Sequence, residues 1–237
     1  KKNLLAEGVA EQNIIVTGNT VIDALLDVRS KVEGYPVEYW ESSIQKDVLN
    51  RIINRSGKFV LMTGHRRENF GDGFLNLCSA IRSLANEHPD WLFVYPVHLN
   101  PNVQEPVFKL LSELENVVLT EPLDYLPFVW LLNQCDLVIT DSGGIQEEAP
   151  SLGKPVLVTR EVTERPEAVE AGTVLLVGTN QEKIISEVTN NNADLIQTET
   201  IPEINGTILY VEDSPTNIVL LEGIVSRIKG IRLITAV

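Results

Sequence analysis

Short apolar runs recur along the middle of the chain, separated by longer stretches with apolar residues three and four positions apart. Runs of this length are typical of strands buried on both faces, and the intervening spacing is typical of amphipathic helices. Six such strands alternating with helices predict a doubly wound α/β fold, which binds ligands at the carboxyl ends of its parallel strands. The predicted strands cover residues 59–63, 91–97, 117–120, 137–140, 156–159 and 174–177, and the clearest helical face carries Phe74, Leu77, Cys78, Ile81, Leu84 and Ala85.

Both ends of the chain depart from this rhythm. Near the start, residues 13–16 are expected to form a short strand that leads into another helix. Residues 190–206 are polar and include three consecutive asparagines, which is typical of a linker. In the tail beyond it, residues 207–237, a strand, a helix and a second strand are predicted over 207–211, 216–229 and 231–237.

Composition limits the class of partner. The chain has 237 residues, 43% of them hydrophobic, with 19 Lys and Arg against 33 Asp and Glu and a net charge of -14. This balance argues against nucleic acid and against anionic membrane surfaces as partners. No apolar run is long enough to span a membrane and no signal peptide is visible, which favours a cytoplasmic protein. Cys78 and Cys135 lie in apolar helical patterns and are expected to be reduced core residues.

The stretch at residues 137–148 carries the most specific chemistry. A buried strand is followed by Ser142, Gly143 and Gly144 (the glycine turn) and then by a helical start. Backbone N–H groups and the positive helix end suit an anion there, and the glycines leave room for a phosphate. Glu148 returns to the same helical face as Gly144, where a carboxylate suits a ribose diol. This pattern predicts a nucleotide site, with an ordinary helix cap and a solvent-facing glutamate as the alternative.

Three other strand-end loops carry charged or imidazole side chains. The basic loop, residues 64–71, contains His65 and Arg66 and suits a diphosphate or a sugar hydroxyl, unless it is simply a solvated loop. His98 follows the second strand, either as another ligand-binding imidazole or as a loop histidine satisfied by backbone. Residues 159–167 bring two arginines among three glutamates. One of the two arginines could reach a phosphate at the glycine turn, and the remaining charged residues could pair along the loop.

Two aromatic residues, Tyr125 and Phe128, follow the third strand. An aromatic ring in a strand-end loop can stack on a nucleotide base, but their helical spacing by itself favours a place in the core. The sequence contains no zinc-ligand spacing, no Walker-type lysine loop and no nucleophile elbow. The chemistry of the predicted site therefore depends on the loops already named.

Taken together, these stretches resemble the non-hydrolysing UDP-N-acetylglucosamine 2-epimerases, in order and spacing, over residues 1–189. That family has two Rossmann-like domains of the glycosyltransferase-B type, and the second holds most of the UDP. The resemblance implies that residues 1–35 are a remnant of the first domain with the hinge, and that residues 36–189 are the UDP-binding domain. The matching motifs are Gly18-Asn19-Thr20-Val21-Ile22-Asp23, Gly64-His65-Arg66-Arg67-Glu68-Asn69, Asp124-Tyr125-Leu126-Pro127-Phe128, Asp141-Ser142-Gly143-Gly144-Ile145-Gln146-Glu147-Glu148-Ala149-Pro150 and Thr163-Glu164-Arg165-Pro166-Glu167.

The resemblance also implies a role for each candidate residue. The glycine turn and Arg165 would bind the diphosphate, Glu148 the ribose, and Phe128 would lie at the uracil. His65 would be the catalytic imidazole near the diphosphate. Arg66 and His98 fall where members with a regulatory site bind a second UDP-GlcNAc molecule.

The implied reaction converts UDP-GlcNAc to UDP-ManNAc, with no metal or redox cofactor. UDP is eliminated to leave a 2-acetamidoglucal and is added back after the configuration at C2 is inverted. In the family the acidic catalytic residues lie in the first domain. Because the chain begins without Met and matches only the second domain, we expect a part of a longer protein that binds UDP and UDP-GlcNAc but is inactive alone. Whether this chain forms a homodimer like those of the family stays an open question.

The tail adds a second resemblance. Residues 208–217 resemble the start of a response-regulator receiver domain, in which Glu212 and Asp213 would help to bind Mg²⁺, although no phosphoacceptor strand follows. Two alternatives to the epimerase prediction therefore stay open. One is a UDP-sugar glycosyltransferase of the same architecture, and the other is a non-catalytic nucleotide-binding or signalling fusion.

Overall fold

A computed structural model describes residues 1–15 and 18–190 in full, together with the backbone of residues 206–211 and 231–236. The chain divides into two compact units. The larger covers Val28–Thr198, and the smaller combines Lys1–Asp27 with Glu199–Val237.

A six-stranded parallel sheet forms the centre of the larger unit. In space the strands follow the order β3-β2-β1-β4-β5-β6, and Leu61 of β1 is in register with both Val94 of β2 and Val138 of β4. The chain order reverses between β1 and β4, so the topological switch point of a doubly wound sheet lies there. The predicted fold class and all six predicted strands are confirmed. The strands are β1 (Phe59–Thr63), β2 (Leu92–Pro96), β3 (Val117–Thr120), β4 (Leu137–Thr140), β5 (Val156–Val158) and β6 (Val174–Leu176).

Helices connect the strands and begin at recognisable signals. The side chain of Asn100 accepts a hydrogen bond from the backbone N–H of Asn102 at the start of the fifth helix, and Asn180 caps the ninth helix in the same way. The helices are α1 (Lys2–Ala6), α2 (Thr20–Val32), α3 (Lys46–Ile53), α4 (Asp72–Glu87), α5 (Pro101–Leu111), α6 (Tyr125–Gln134), α7 (Ile145–Ser151), α8 (Pro166–Glu170) and α9 (Gln181–Thr189).

The core of the larger unit lies between the sheet and these helices. All six apolar residues predicted on the face of α4 are buried there, in one cluster with Phe93 and Tyr95 of β2. Cys78 and Cys135 are both free and buried, as the sequence predicts. Burial raises the pKa of each thiol to about 12, so both stay protonated and unreactive at neutral pH.

The structure describes residues 13–15 of the strand predicted at 13–16, and over these residues the prediction is wrong; Val16 lies outside the described residues. Glu11–Asn13 form a short 3-10 helix instead. Ile14 is extended, but no strand among the described residues pairs with it, and Ile15 is exposed rather than buried. Two adjacent isoleucines therefore gave a strand signal without the neighbouring edge that a strand needs.

The smaller unit contains a parallel pair of strands, β7 (Gly206–Val211) and β8 (Ile231–Ala236), in register from Gly206 with Ile231 onward. Residues 191–205 of the predicted linker, the helix at 216–229 and the pair Glu212 and Asp213 lie outside the described residues. Among the helices of the described part of the chain, none has the length and apolar character needed to cross a membrane.

Candidate active site

The basic loop and the glycine turn meet at the switch point of the sheet. They follow β1 and β4, whose last residues, Thr63 and Thr140, are in register. The hydroxyl oxygens of these two threonines lie 2.6 Å apart and share a hydrogen bond. The Thr140 hydroxyl also accepts a bond of 2.9 Å from the backbone N–H of Ser142. The structure therefore places the predicted phosphate turn beside the predicted basic loop.

Asp141 holds the start of the basic loop in place through hydrogen bonds to its backbone. Its carboxylate is fully buried, and Oδ2 accepts hydrogen bonds from the backbone N–H groups of His65 (3.0 Å) and Arg66 (2.8 Å). The buried amide of Asn69 donates to the same oxygen (3.3 Å) and to the carbonyl of Thr159 (3.1 Å). A buried carboxylate needs such donors to replace its lost hydration. Sequence reasoning gave Asp141 and Asn69 no role, although an acidic residue directly after a buried strand was a usable signal.

The two candidate imidazoles are neighbours. The rings of His65 and His98 stack with their centroids 5.3 Å apart and their planes 18° apart. Nδ1 of His98 accepts a 3.1 Å hydrogen bond from the backbone N–H of Asn100. The alternative of a loop histidine satisfied by backbone is therefore confirmed for one ring nitrogen. The role of His98 as a ligand-binding imidazole stays a prediction.

An open pocket of about 350 Å³ collects side chains from three strand-end loops. Three of the predicted site residues, His65, Phe128 and Ser142, line it together. A larger cavity of about 430 Å³ between α5 and the ends of β2 and β3 contains none of the predicted site residues, so the chemistry points to the smaller one. The lining of the smaller pocket consists of Thr63, His65, Leu123, Tyr125, Phe128, Ser142 and Ile145.

Tyr125 and Phe128 are not core residues, and the preference drawn from their spacing is wrong. Tyr125 is 43% exposed and Phe128 is half-buried, and both line the pocket. Other residues of α6 fill the core instead, among them Val129, Trp130, Leu131 and Leu132. Nearly every position of this helix is apolar, so spacing alone could not tell its pocket face from its core face.

Glu148 lies in the first turn of α7 and points away from solvent. Its backbone N–H bonds to the carbonyl of Gly144 at 3.0 Å, as the spacing predicts, and the residue is only 8% exposed. The Tyr125 hydroxyl hydrogen-bonds to its Oε1 at 3.3 Å. Burial raises the pKa of the Glu148 carboxyl, and the hydrogen bond from Tyr125 partly offsets that rise. The alternative of a solvent-facing glutamate is therefore wrong.

Arg165 stands at the start of α8 with its guanidinium partly exposed. Its Nε is paired with Glu147 of α7, and its backbone N–H donates to the Thr163 hydroxyl at 3.0 Å. That hydroxyl in turn bonds to the side chain of Gln146, which donates to the carbonyl of Ser142 at 3.2 Å. These contacts tie the loop after β5 to the helix that follows the glycine turn.

Arg160, the other arginine of this loop, is a buried ion-pair residue. It is 6% exposed and contacts Glu68 of the basic loop at 2.5 Å and also Glu164. The guanidinium of Arg160 lowers the pKa of Glu164 to about 2.

Arg66 also contacts Glu164, to which one of its terminal nitrogens donates a 3.2 Å hydrogen bond. Its other terminal nitrogen lies 3.5 Å from the position that a Cβ atom added to Gly143 would occupy. The side chain of Arg66 therefore lies over the glycine turn.

No group of three or more His, Cys, Asp or Glu side chains is placed to hold a metal ion in the part of the chain that the structure describes. The chemistry available at the switch point is that of imidazoles, guanidiniums, backbone amides and two buried carboxylates, Asp141 and Glu148. Glu148 is bonded to Tyr125, which lines the pocket.

Residues 1–211 match the family model described as UDP-N-acetylglucosamine 2-epimerase. A probable UDP-N-acetylglucosamine 2-epimerase of Ralstonia nicotianae is 56% identical over 191 residues, which are 80% of this chain and 49% of that protein. The UDP-N-acetylglucosamine 2-epimerase of Yersinia pestis gives the same identity and coverage. The crystal structure of the Neisseria meningitidis UDP-GlcNAc 2-epimerase bound to UDP-GlcNAc is similar, with a TM-score of 0.72 and 45% identity over 82% of this chain and 53% of that one. The chain spans about half the length of the curated relatives it matches.

Proposed function

This chain belongs to the UDP-N-acetylglucosamine 2-epimerase family, and we propose that its residues 36–189 bind the UDP moiety of UDP-N-acetylglucosamine in such an enzyme. The observation that carries the proposal is the pocket at the switch point, where His65, Phe128 and Ser142 line one cavity. Membership of this family favours the epimerase prediction over the glycosyltransferase alternative. The proposed reaction interconverts UDP-GlcNAc and UDP-ManNAc.

In this proposal each part of UDP meets a matching group. The diphosphate lies at the glycine turn, where the Ser142 hydroxyl and the backbone N–H groups donate hydrogen bonds and Gly143 leaves space below Arg66. The buried carboxylate of Glu148 accepts from the ribose diol. The half-buried ring of Phe128 lies against the uracil.

The arginines near the turn are paired with carboxylates that a diphosphate can replace. Arg165 is paired with Glu147 and Arg66 with Glu164, and all four side chains are at least partly exposed. Exposed ion pairs contribute roughly 0–1 kcal/mol, so giving them up costs little. A diphosphate offers more charge and a bidentate geometry that suits guanidinium. These pairs therefore hold the arginines near the turn until the ligand arrives.

His65 is the group of this chain that we assign to the chemical step. As the C1–O bond to UDP breaks, negative charge develops on the departing diphosphate, and an imidazole N–H beside it stabilises that charge. The proton at C2 must leave on one face of the sugar and return on the other. One imidazole cannot serve both faces. We therefore propose that further acid–base groups of the complete enzyme lie outside the half that this chain matches.

The regulatory role of Arg66 and His98 is also a proposal. Its support is the stacking of His98 on His65, which would let a second UDP-GlcNAc molecule at His98 influence the imidazole assigned to catalysis. The cytoplasmic location and the homodimer stay predictions from the sequence.

Calorimetric titration with UDP tests the proposed function directly. We expect saturable binding of one UDP per chain, and a hundredfold excess over Kd should stabilise the fold by about 2.7 kcal/mol. Phe128→Ala should weaken binding, whereas Phe108→Ala, on the exposed face of α5, should not. Absence of binding at millimolar UDP by a folded sample would contradict the proposal.

A further inference from the structure

We propose that Tyr125 is a positioning residue, which orients the carboxylate of Glu148 and so makes the site prefer a ribonucleotide to a 2′-deoxyribonucleotide. The inference rests on the proposed binding of UDP and deepens it. The resemblance in the sequence gives Tyr125 no role of its own, and its spacing favours a place in the core.

The geometry links two separate elements of the fold. Tyr125 is the first residue of α6, after β3, and Glu148 lies on α7, after β4. The Tyr125 hydroxyl lies 3.3 Å from Oε1 of Glu148, and the tyrosine ring lines the pocket beside Phe128. Burial and the adjacent carboxylate both raise the pKa of Tyr125, so its hydroxyl keeps its proton and acts as the donor.

The chemistry of a carboxylate explains why it needs this partner. The last torsion of a glutamate side chain is broad, so a free carboxylate samples many orientations. The bond from Tyr125 occupies one site on Oε1 and fixes the carboxylate plane. It leaves Oε2, and the remaining lone pair of Oε1, for the two hydroxyls of a ribose diol. A 2′-deoxyribose supplies only one of these hydroxyls and leaves a buried acceptor unpaired. A site built to bind a hydroxyl group strongly disfavours an analogue that lacks it, because an unpaired buried acceptor is costly.

The same bond affects the pH range of binding. Two titratable groups act on Glu148, namely Tyr125 from α6 and Glu147 from its own helix. Burial and the charge of Glu147 raise the pKa of Glu148, and the hydrogen bond from Tyr125 lowers it. Removing the hydroxyl therefore raises this pKa further. Glu148 would then become protonated at a higher pH, and UDP binding would weaken earlier as the pH falls.

Calorimetry with two ligands separates positioning from packing. Wild type, Tyr125→Phe and the control Tyr39→Phe, an exposed tyrosine of the Val37–Ser42 helix, are titrated with UDP and with 2′-deoxy-UDP. We expect Tyr125→Phe to bind UDP about fivefold more weakly than wild type does, because the charge-assisted hydrogen bond that orients Glu148 is lost. Its affinity for 2′-deoxy-UDP should stay close to that of wild type. The acid limb of its UDP binding should move to higher pH. Tyr39→Phe should match wild type in all respects.

A second variant keeps the test independent of folding. In a Glu148→Gln background the acid limb should disappear, and adding Tyr125→Phe should have a smaller effect than it has alone, because the two side chains are coupled. Equal losses for both ligands with an unmoved acid limb would overturn the role of Tyr125 while leaving UDP binding standing. Failure of folded wild type to bind UDP would instead contradict the proposed function itself.

Discussion

The carboxylate of Asp141 accepts the backbone N–H of His65 on both of its oxygens, at 3.1 and 3.0 Å, across 76 positions of sequence. The carboxylate has almost no contact with solvent and also accepts from Arg66 and Asn69. The orientation of the basic loop at its first residues therefore depends on the residue that directly follows the neighbouring strand, β4.

Asp141→Asn should consequently disturb both stability and the site. The amide retains one acceptor oxygen, but its NH₂ group faces N–H donors and leaves at least one of them unsatisfied. We expect a loss of about 2–3 kcal/mol in urea unfolding and weaker UDP binding. Asp47→Asn, an exposed carboxylate on α3, should stay within about 0.5 kcal/mol of wild type. Equal stability of the two variants would show that the Asp141 bonds contribute nothing.

Arg165→Ala should reduce the stabilisation by UDP while leaving the melting temperature of the free protein nearly unchanged. The reason is that its contact with Glu147 is a partly exposed ion pair. Arg165→Lys should recover only part of the UDP response, since lysine keeps the charge but loses the planar fork. Thermal scans with and without UDP measure this, with Arg82→Ala on the exposed face of α4 as the control. An unchanged UDP response in Arg165→Ala would remove this residue from the site.

Glu164 should stabilise the fold above about pH 4.5 and lose that effect as the pH falls. Because Arg160 donates a hydrogen bond to Glu164, the pKa of Glu164 in the folded protein is about 2, below its ordinary value of 4.5. As the pH falls, Glu164 therefore takes up a proton in the unfolded chain before it does so in the folded protein, which favours unfolding. Unfolding free energies of wild type and Glu164→Gln should therefore converge between these two pH values. Glu113→Gln, on an exposed residue after α5, should show no such convergence. A difference in unfolding free energy between wild type and Glu164→Gln that does not change with pH would contradict the lowered pKa of Glu164.

The 237-residue polypeptide expressed by itself should bind UDP-GlcNAc but should not epimerise it. Loss of one positioned acid–base group typically slows a reaction by about 10²–10⁴-fold, and an open site also admits water to the reactive glucal. Proton NMR would follow the appearance of UDP-ManNAc, with deuterium uptake at C2 as the more sensitive signal. Sustained turnover in a sample free of host epimerase would mean that this chain, or a second copy of it, supplies the groups for both faces.

The sequence predicted the sheet well because strands buried on both faces are apolar along nearly their whole length, as β1 and β4 are up to their final threonines. It predicted the pocket less well for a related reason. Helix α6 is apolar on nearly every face, so the exposure of Tyr125 could not be derived from local spacing. Arg160 and Arg165 share one loop, and only tertiary contacts with Glu68 make the first a buried residue. The role of Asp141 depends on partners more than 70 positions away, which no local pattern contains.

The adjacency of β1 and β4 has a further consequence for how the protein is made. Thr63 and Thr140, which join beneath the pocket, are 77 positions apart, and the loop bearing Arg165 is synthesised later still. During synthesis the proposed phosphate turn therefore meets the basic loop only after residue 142 has been made, and Arg165 follows only after β5. If UDP binds as proposed, it cannot stabilise folding intermediates that form before this loop has been made, and UDP binding by a nascent chain would report that β1 and β4 have paired.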